Sequence, residues 1–397
     1  MPLPTAIRNL RRYNMATGLG EIRLRRYPVG VGMILIWLTG AVGLGVAVYR
    51  WIVGLHITNM SDGRPWGIWI SFDMMSGIGL AAGAFSVAAI VYVFNLKKLY
   101  PIVRPTILTG FISYILAALT LLVDLGLPDR IWHLIIYWNI HSPLFEIGWC
   151  VMAYTTVLAL EFSPILFEAL GWKVPLQFIR RVTIPLVILG IMLSTLHQST
   201  LGTMLTALPY RIHPLWYSPL LPLYFFITAI AAGLAMTVFE SYHSARTYQQ
   251  KFELGIVSTL TKWIPYVLGV YFVIRIIELF VTGKYVYLVQ DPWPTFFFLI
   301  EMMGGILIPI LLFADRRVRN SQSGIVWAAF LTMGGLILNR FNTSLVFLNG
   351  DFYFPSAAEI AVSIGLTCLG IIMFDAAIRF LPMYKEPKKE QTAIKQI

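Results

Sequence analysis

The run TIPLVILGIMLSTLHQSTLGTMLTAL, residues 183–208, decides the fold. At 1.5 Å of rise per helical residue it is long enough to cross the roughly 30 Å hydrocarbon core of a bilayer. Its middle nevertheless carries Ser194, Thr195, His197, Gln198, Ser199 and Thr200. Polar groups at that depth are costly unless protein or water meets them, so this segment must face other helices and not lipid alone. Ser194, Gln198 and Gly202 recur at i, i+4 and i+8 and share one face, a small polar ridge with His197 beside it. A helix contact glued by serine and glutamine accounts for the hydroxyls and for Gln198. His197 asks for more, because imidazole is the side chain best suited to exchanging protons near neutral pH.

Outward from this run the rest of the chain repeats its character. Apolar residues make up 58% of the 397 and charged residues 12%, about half the charge of a soluble domain. Ten apolar spans are predicted: 29–55, 67–94, 105–127, 143–169, 182–208, 216–242, 263–283, 293–314, 324–348 and 356–381. Prolines such as Pro105, Pro143, Pro292 and Pro355 mark several starts. The reading is an all-α, polytopic membrane protein with one domain over 29–381 and polar tails at 1–28 and 382–397. The first tail is basic and has no apolar core, so it reads as a tail before an uncleaved helix and not as a signal peptide.

Ten spans place both termini on one side. Lys and Arg number twenty-three on that side against five on the other, the five being Arg50, Arg64, Arg130, Arg211 and Lys284. By the positive-inside rule both termini are expected in the cytoplasm. The net charge of +11 then reflects topology and is no argument for a nucleic-acid partner.

With the sides set, helical rise gives depth. Asp73, Glu301 and Arg340 fall about 10–12 Å in from the outer end, Glu146 and Glu359 about one turn in, and His197 near the midplane. Arg275 and Glu278, at i and i+3, are expected to pair as a structural ion pair. Glu161, Glu240 and Asp375 sit near inner helix ends, where they either snorkel and pair with loop arginines or continue a proton route inward. Asn339, Arg340 and Asn342 form a dense polar group in an apolar span; an arginine–carboxylate pair that fixes packing is the plainer explanation.

Cofactors can be narrowed by their ligands. The two cysteines, Cys150 and Cys368, are too few for an iron–sulfur cluster and form no zinc-type pair. Of six histidines, His56, His133, His141, His213 and His243 lie at or near helix ends and only His197 is deep. A bis-histidine haem is therefore not expected. A diffusible apolar redox carrier fits better, since quinone needs apolar walls, hydrogen bonds to two carbonyls and proton donors. His197, Gln198, Asp73 and Glu146 offer those features.

At these residues the sequence resembles the NrfD/polysulfide-reductase membrane subunits, and more closely their ten-helix, HybB-type branch. The resemblance is carried by Pro65-Trp66-Gly67-Ile68-Trp69-Ile70 with Asp73, by Gly79 to Phe85, and by Leu196-His197-Gln198-Ser199-Thr200-Leu201-Gly202. His213-Pro214-Leu215-Trp216 and Asn339-Arg340-Phe341-Asn342 also match. It implies two related four-helix bundles, helices 2–5 and 6–9, with helices 1 and 10 flanking them. It further implies a haem-free and cluster-free subunit of the bacterial inner membrane that exchanges electrons with menaquinone or ubiquinone. The partners implied are a periplasmic four-cluster ferredoxin-like iron–sulfur subunit and a catalytic subunit of hydrogenase, molybdopterin or multihaem cytochrome type. The family's proton-transfer positions carry over to Glu146, His197 and Glu240, with Asp73 as a further pocket residue. Asn339 and Arg340 join His197, Gln198 and Asp73 as candidate quinone-binding residues. Two other classes stay open: a proton-coupled secondary transporter, which also uses buried carboxylates, and a purely structural anchor for a soluble enzyme. Copurification with an iron–sulfur protein favours the first reading; substrate-dependent proton movement by the isolated chain favours the transporter.

Overall fold

A computed structural model describes residues 30–61, 63–64, 66–346 and 353–384. Most of the two predicted tails, and Pro65 of the tryptophan motif, lie outside these residues. Among the described residues the chain is all helix, with ten helices long and apolar enough to cross a membrane and no strand. They are α1 (Val31–Val53), α2 (Trp69–Val93), α3 (Lys97–Asp124), α4 (Pro143–Leu170), α5 (Thr183–Thr206), α6 (Leu221–Thr247), α7 (Leu254–Val281), α8 (Pro292–Ala314), α9 (Gln322–Val346) and α10 (Ala357–Phe380).

Local sequence sets several boundaries. Ser142 caps α4 by accepting from Phe145 N, with Pro143 in the first turn, and Gly171 ends it in the left-handed region at φ 72°. Ser356 and Glu359 form a reciprocal capping box on α10. Pro105, by contrast, does not start α3. It lies inside that helix, whose first turn already holds Pro101. α7 begins at Leu254, about nine residues before its predicted start, because a turn at Lys262–Trp263 joins two helical pieces. α6 begins only at Leu221, since the His213–Leu220 stretch is spent on turns. A surface helix, Lys173–Arg181, joins α4 to α5; its length is too short to register as a span.

Contacts close α2–α3–α4–α5 into one four-helix bundle and α6–α7–α8–α9 into another. α1 packs lengthwise on α10, and the pair lies against α2 and α3. The bundles meet along α2 and α6. A Cβ on Gly233 would stand 2.2 Å from Gly83 N, and one on Gly83 would stand 2.5 Å from Gly233 O. Only glycine lets two backbones approach so closely, which is how helices associate where lipid removes the hydrophobic drive.

α2 is the most deeply wrapped span, with 78% of its central window buried. It is also irregular: a π-helical stretch at Trp69–Ser76, a break at Ala82 and a second π stretch at Ala89–Val93. π stretches recur in α8 at Ile300–Leu307 and in α9 at Asn342–Val346. Such widened turns accompany functional sites more often than plain packing.

Candidate functional site

α5 carries His197 into the middle of the first bundle, where the residue is fully buried. Neither imidazole nitrogen bonds to a described residue. Tyr114 of α3 stands edge-on to the ring with centroids 5.4 Å apart, and Tyr154 of α4 stands edge-on to Tyr114 at 4.6 Å. Ser194, one turn before His197, lies against both tyrosine hydroxyls. Gln198 Nε2 donates to Ile78 O of α2 at 2.9 Å, while its Oε1 is buried without a partner. Thr200 Oγ1, one turn beyond His197, donates to Glu146 Oε1 at 2.8 Å. Thus α5 holds Glu146 through Thr200 and the Ile78 carbonyl through Gln198 on either side of His197, whose ring is packed by Tyr114 and in turn Tyr154. Buried polar atoms seldom lack partners, and a group of them in one place marks a site for water or a ligand.

Asp73 is held elsewhere. Its Oδ2 accepts from Ser363 Oγ of α10 at 2.5 Å, in the layer between α2 and the α1–α10 pair. Glu359 below the α10 cap accepts from Asn59 N at 2.9 Å, from Ser356 N at 2.8 Å and from the Tyr353 hydroxyl. Buried Arg50 closes the end of α3 by donating to Leu125 O at 2.6 Å. These contacts tie the flanking helices to the first bundle.

The second bundle repeats the wiring of the first. Arg340 of α9 donates to α6, reaching Phe225 O at 3.2 Å and Thr228 Oγ1 at 3.0 Å, as Gln198 of α5 donates to α2. Two residues later Asn342 Nδ2 donates to Glu301 Oε2 of α8 at 2.8 Å, as Thr200 donates to Glu146 of α4. In these two pairs of bonds α9 plays the part of α5, and Asn339 precedes Arg340 as His197 precedes Gln198. The two positions differ in what they bond. Asn339 is engaged at both ends of its amide, giving Nδ2 to Glu301 at 2.8 Å and accepting from Arg340 at 2.6 Å. His197 is engaged at neither nitrogen.

The remaining charges of the second bundle hold down the α5–α6 loop. The predicted pair exists, with Arg275 Nη1 to Glu278 Oε2 at 2.7 Å. Arg275 also donates to Leu215 O, Lys284 Nζ to Tyr217 O at 2.7 Å, and Trp216 Nε1 to Glu301 Oε2 at 2.8 Å. His213 Nδ1 accepts from Leu215 N at 3.2 Å, which leaves Nε2 to carry the proton toward Asp291 Oδ2 at 3.1 Å. Burial holds the His213 pKa below the usual histidine range, although Asp291 pulls it upward.

At the other end, Glu240 of α6 is buried and accepts from Ser244 Oγ at 3.1 Å. Asp375 pairs with Arg379 at 2.6 Å and accepts from the Tyr248 hydroxyl at 3.0 Å. That is the local pairing its place near a helix end suggests.

Residues 56–347 match the family described as polysulphide reductase, NrfD. The chain belongs to the NrfD family. It is 34% identical over 348 residues, 85% of this chain and 88% of the relative, to a protein of Escherichia coli named probable Ni/Fe-hydrogenase 2 b-type cytochrome subunit. It is 26% identical to the menaquinone reductase integral membrane subunit of Nitratidesulfovibrio vulgaris, over 86% of this chain and 88% of that one. It is 21% identical to the Hdr-like menaquinol oxidoreductase integral membrane subunit of Archaeoglobus fulgidus, over 90% and 95%. The protein is thus a multi-pass NrfD-family membrane subunit, related to the membrane subunits of oxidoreductase complexes.

The name of the Escherichia coli relative raises haem, and the NrfD-family chain can be tested for ligands. His213 has committed both nitrogens to Asp291 and Leu215. His133 and His141 lie in the α3–α4 connection, His56 in the turn after α1, and His243 in the last turns of α6. None shares the depth of His197, so the donor set does not fit a bis-histidine haem. Among the described residues no three of His, Cys, Asp and Glu gather as a metal site.

Sequence reading missed Tyr114, Tyr154 and Ser363. Tyrosines are common in apolar spans, and nothing in their spacing says that two of them converge on one imidazole.

Proposed function

We propose that the chain is the quinone-reactive membrane subunit of a respiratory oxidoreductase. It exchanges electrons between a periplasmic iron–sulfur subunit and menaquinone or ubiquinone, with associated proton transfer. The catalytic partner beyond that subunit is of hydrogenase, molybdopterin or multihaem cytochrome type. Both termini are placed in the cytoplasm by the distribution of Lys and Arg.

The observation that carries this reading is the contrast between His197 and Asn339. Asn339 is engaged at both ends of its amide by its own bundle, whereas His197 keeps both imidazole nitrogens uncommitted, with the Gln198 oxygen free beside it. The menaquinone named in two relatives supplies a ligand whose chemistry suits those atoms. Reduction of a quinone takes two electrons and two protons. The electrons come from the partner's clusters, and the protons must reach two carbonyl oxygens through this chain.

His197 donates to or relays a proton toward one carbonyl, with Gln198 beside it as a hydrogen-bond partner. Glu146, half-buried at the start of α4 and bonded to Thr200, is the outer proton station. Glu240 is the inner one. Asp73 lies between α2 and α10 as a further pocket residue. Asn339 and Arg340 act from the second bundle: α9 meets the π stretch of α2 through Ser344 and Ser71, at 2.7 Å, and through stacked Phe341 and Phe72. They position that wall of the pocket.

The test is made on the intact complex. A stoichiometric iron–sulfur protein should copurify, and His197→Ala should lose quinone-linked activity while activity toward an artificial dye survives in the catalytic partner. Quinone turnover at the wild-type rate in that variant overturns the assignment.

A further inference from the structure

The two proton stations His197 and Glu240 stand in different bundles, and no hydrogen bond joins them. Between them lies the crossing of α2 and α6, where α2 breaks at Ala82 and α3 packs alongside. A cavity of about 10 Å³ sits there, lined by Ala81 and Gly83 of α2, Thr106 and Thr109 of α3, and Thr237 and Glu240 of α6. That is room for the centre of one water molecule.

Leu80, Ala84 and Met236 complete a mostly apolar lining, but two of the lining residues hold uncommitted polar atoms. Glu240 Oε1 accepts from Ser244, but Oε2 is buried and bonds no described residue. Thr109 Oγ1 is in the same state. Thr106 gives its hydroxyl proton to Ile102 O at 2.7 Å and Thr237 gives its own to Gly233 O at 3.0 Å, so neither has a proton left to donate. Two uncommitted groups meet the minimum of two partners for a buried water, where a void with none stays dry.

We propose that one water occupies this cavity, held by Thr109, and bonds Glu240 Oε2, so that a hydroxyl of the first bundle positions the inner carboxyl of the second. The proposal rests on the reading of Glu240 as a proton station. α3 then joins the two stations: five residues beyond Thr109 the same helix presents Tyr114 to His197. Thr109 is a positioning residue, since it acts on Glu240 and touches no quinone.

Infrared difference spectroscopy of the assembled complex tests this, with the Glu240 carboxyl band identified by its loss in Glu240→Gln. Thr109→Val should shift that band and remove a water O–H band that moves in H2-18O, and should slow proton uptake about fivefold, as expected for one lost hydrogen bond. Thr109→Ser keeps the hydroxyl and should restore both bands and the rate. Quinone KM should hardly move in either variant. If valine at 109 prevents assembly, Thr109→Ala provides the same comparison. Unchanged carboxyl and water bands in the valine or alanine variant overturn the proposal, even if turnover slows. The bands are read without quinone turnover, so a failed quinone assignment at His197 remains distinguishable from a failed water site.

Discussion

His197→Ala removes an imidazole whose nitrogens bond no described residue, so the surrounding helices lose no hydrogen bond and the complex should assemble. Quinone-linked activity should fall by roughly tenfold to a hundredfold, the equivalent of about 1.5–3 kcal/mol for a lost charge-assisted hydrogen bond. His197→Gln returns a hydrogen bond without a titrating group, so quinone affinity should recover while turnover stays low. Steady-state kinetics with separate kcat and KM measure the split. His213 makes a different prediction. Its folded pKa lies below the usual range because burial outweighs Asp291, so the folded chain prefers the neutral ring. The loop is therefore fully stabilised above the ordinary histidine pKa of about 6.5 and loses that contribution as pH falls through the lowered folded value. Thermal unfolding scanned from about pH 8 down to about pH 5 should show a loss at the acid end that His213→Asn reduces.

At the scale of elements, the crossing of α2 and α6 is the most exacting contact. Gly233→Val places a branched side chain where even a Cβ would meet Gly83 N at 2.2 Å. Backbone atoms on both sides cannot rotate away, so the bundles must part. The cost should exceed the about 1–3 kcal/mol usual for overpacking, read as a lower unfolding temperature and less assembled complex. Gly269→Ala in α7 meets nothing within 4 Å and should be tolerated, which controls for loss of glycine itself. The break in α2 belongs to the same crossing, and its π stretches flank that crossing on either side. They turn Ser71 toward α9 and leave the Ile78 carbonyl facing Gln198.

At the scale of the whole molecule, two bundles with one wiring divide the work. The second anchors the α5–α6 loop through Arg275, Lys284, Asp291 and Glu301, and the first holds the uncommitted imidazole of His197. Glu240 lies on the second bundle's side of the seam. Glu240→Gln should therefore slow proton uptake from the inner side in vesicles while leaving quinone affinity nearly unchanged; uptake at the wild-type rate removes Glu240 from the route. The histidine positions predict that the purified single chain shows no b-type absorption bands. A stoichiometric haem spectrum contradicts that expectation.

Ten spans, their approximate limits and the Arg275–Glu278 pair were legible in the sequence. All follow from local rules: hydropathy over a bilayer's thickness and neighbours at helical spacing. Boundaries slipped where a local signal was overruled. Pro105 reads as a start, yet sits inside α3. The partners of Asp73 and Arg340 were not readable, because Ser363 lies 290 residues from Asp73 and Phe225 lies 115 from Arg340. The correspondence of Gln198 with Arg340 and of Thr200 with Asn342 was invisible for a related reason: different side chains keep the same hydrogen-bond geometry, so no residue pattern repeats. A sequence determines what each span must satisfy inside a membrane. Which atoms satisfy it, and which are left uncommitted around His197, is decided only when the helices pack, because hydrogen bonding depends on ångström-scale distances between segments far apart in the chain.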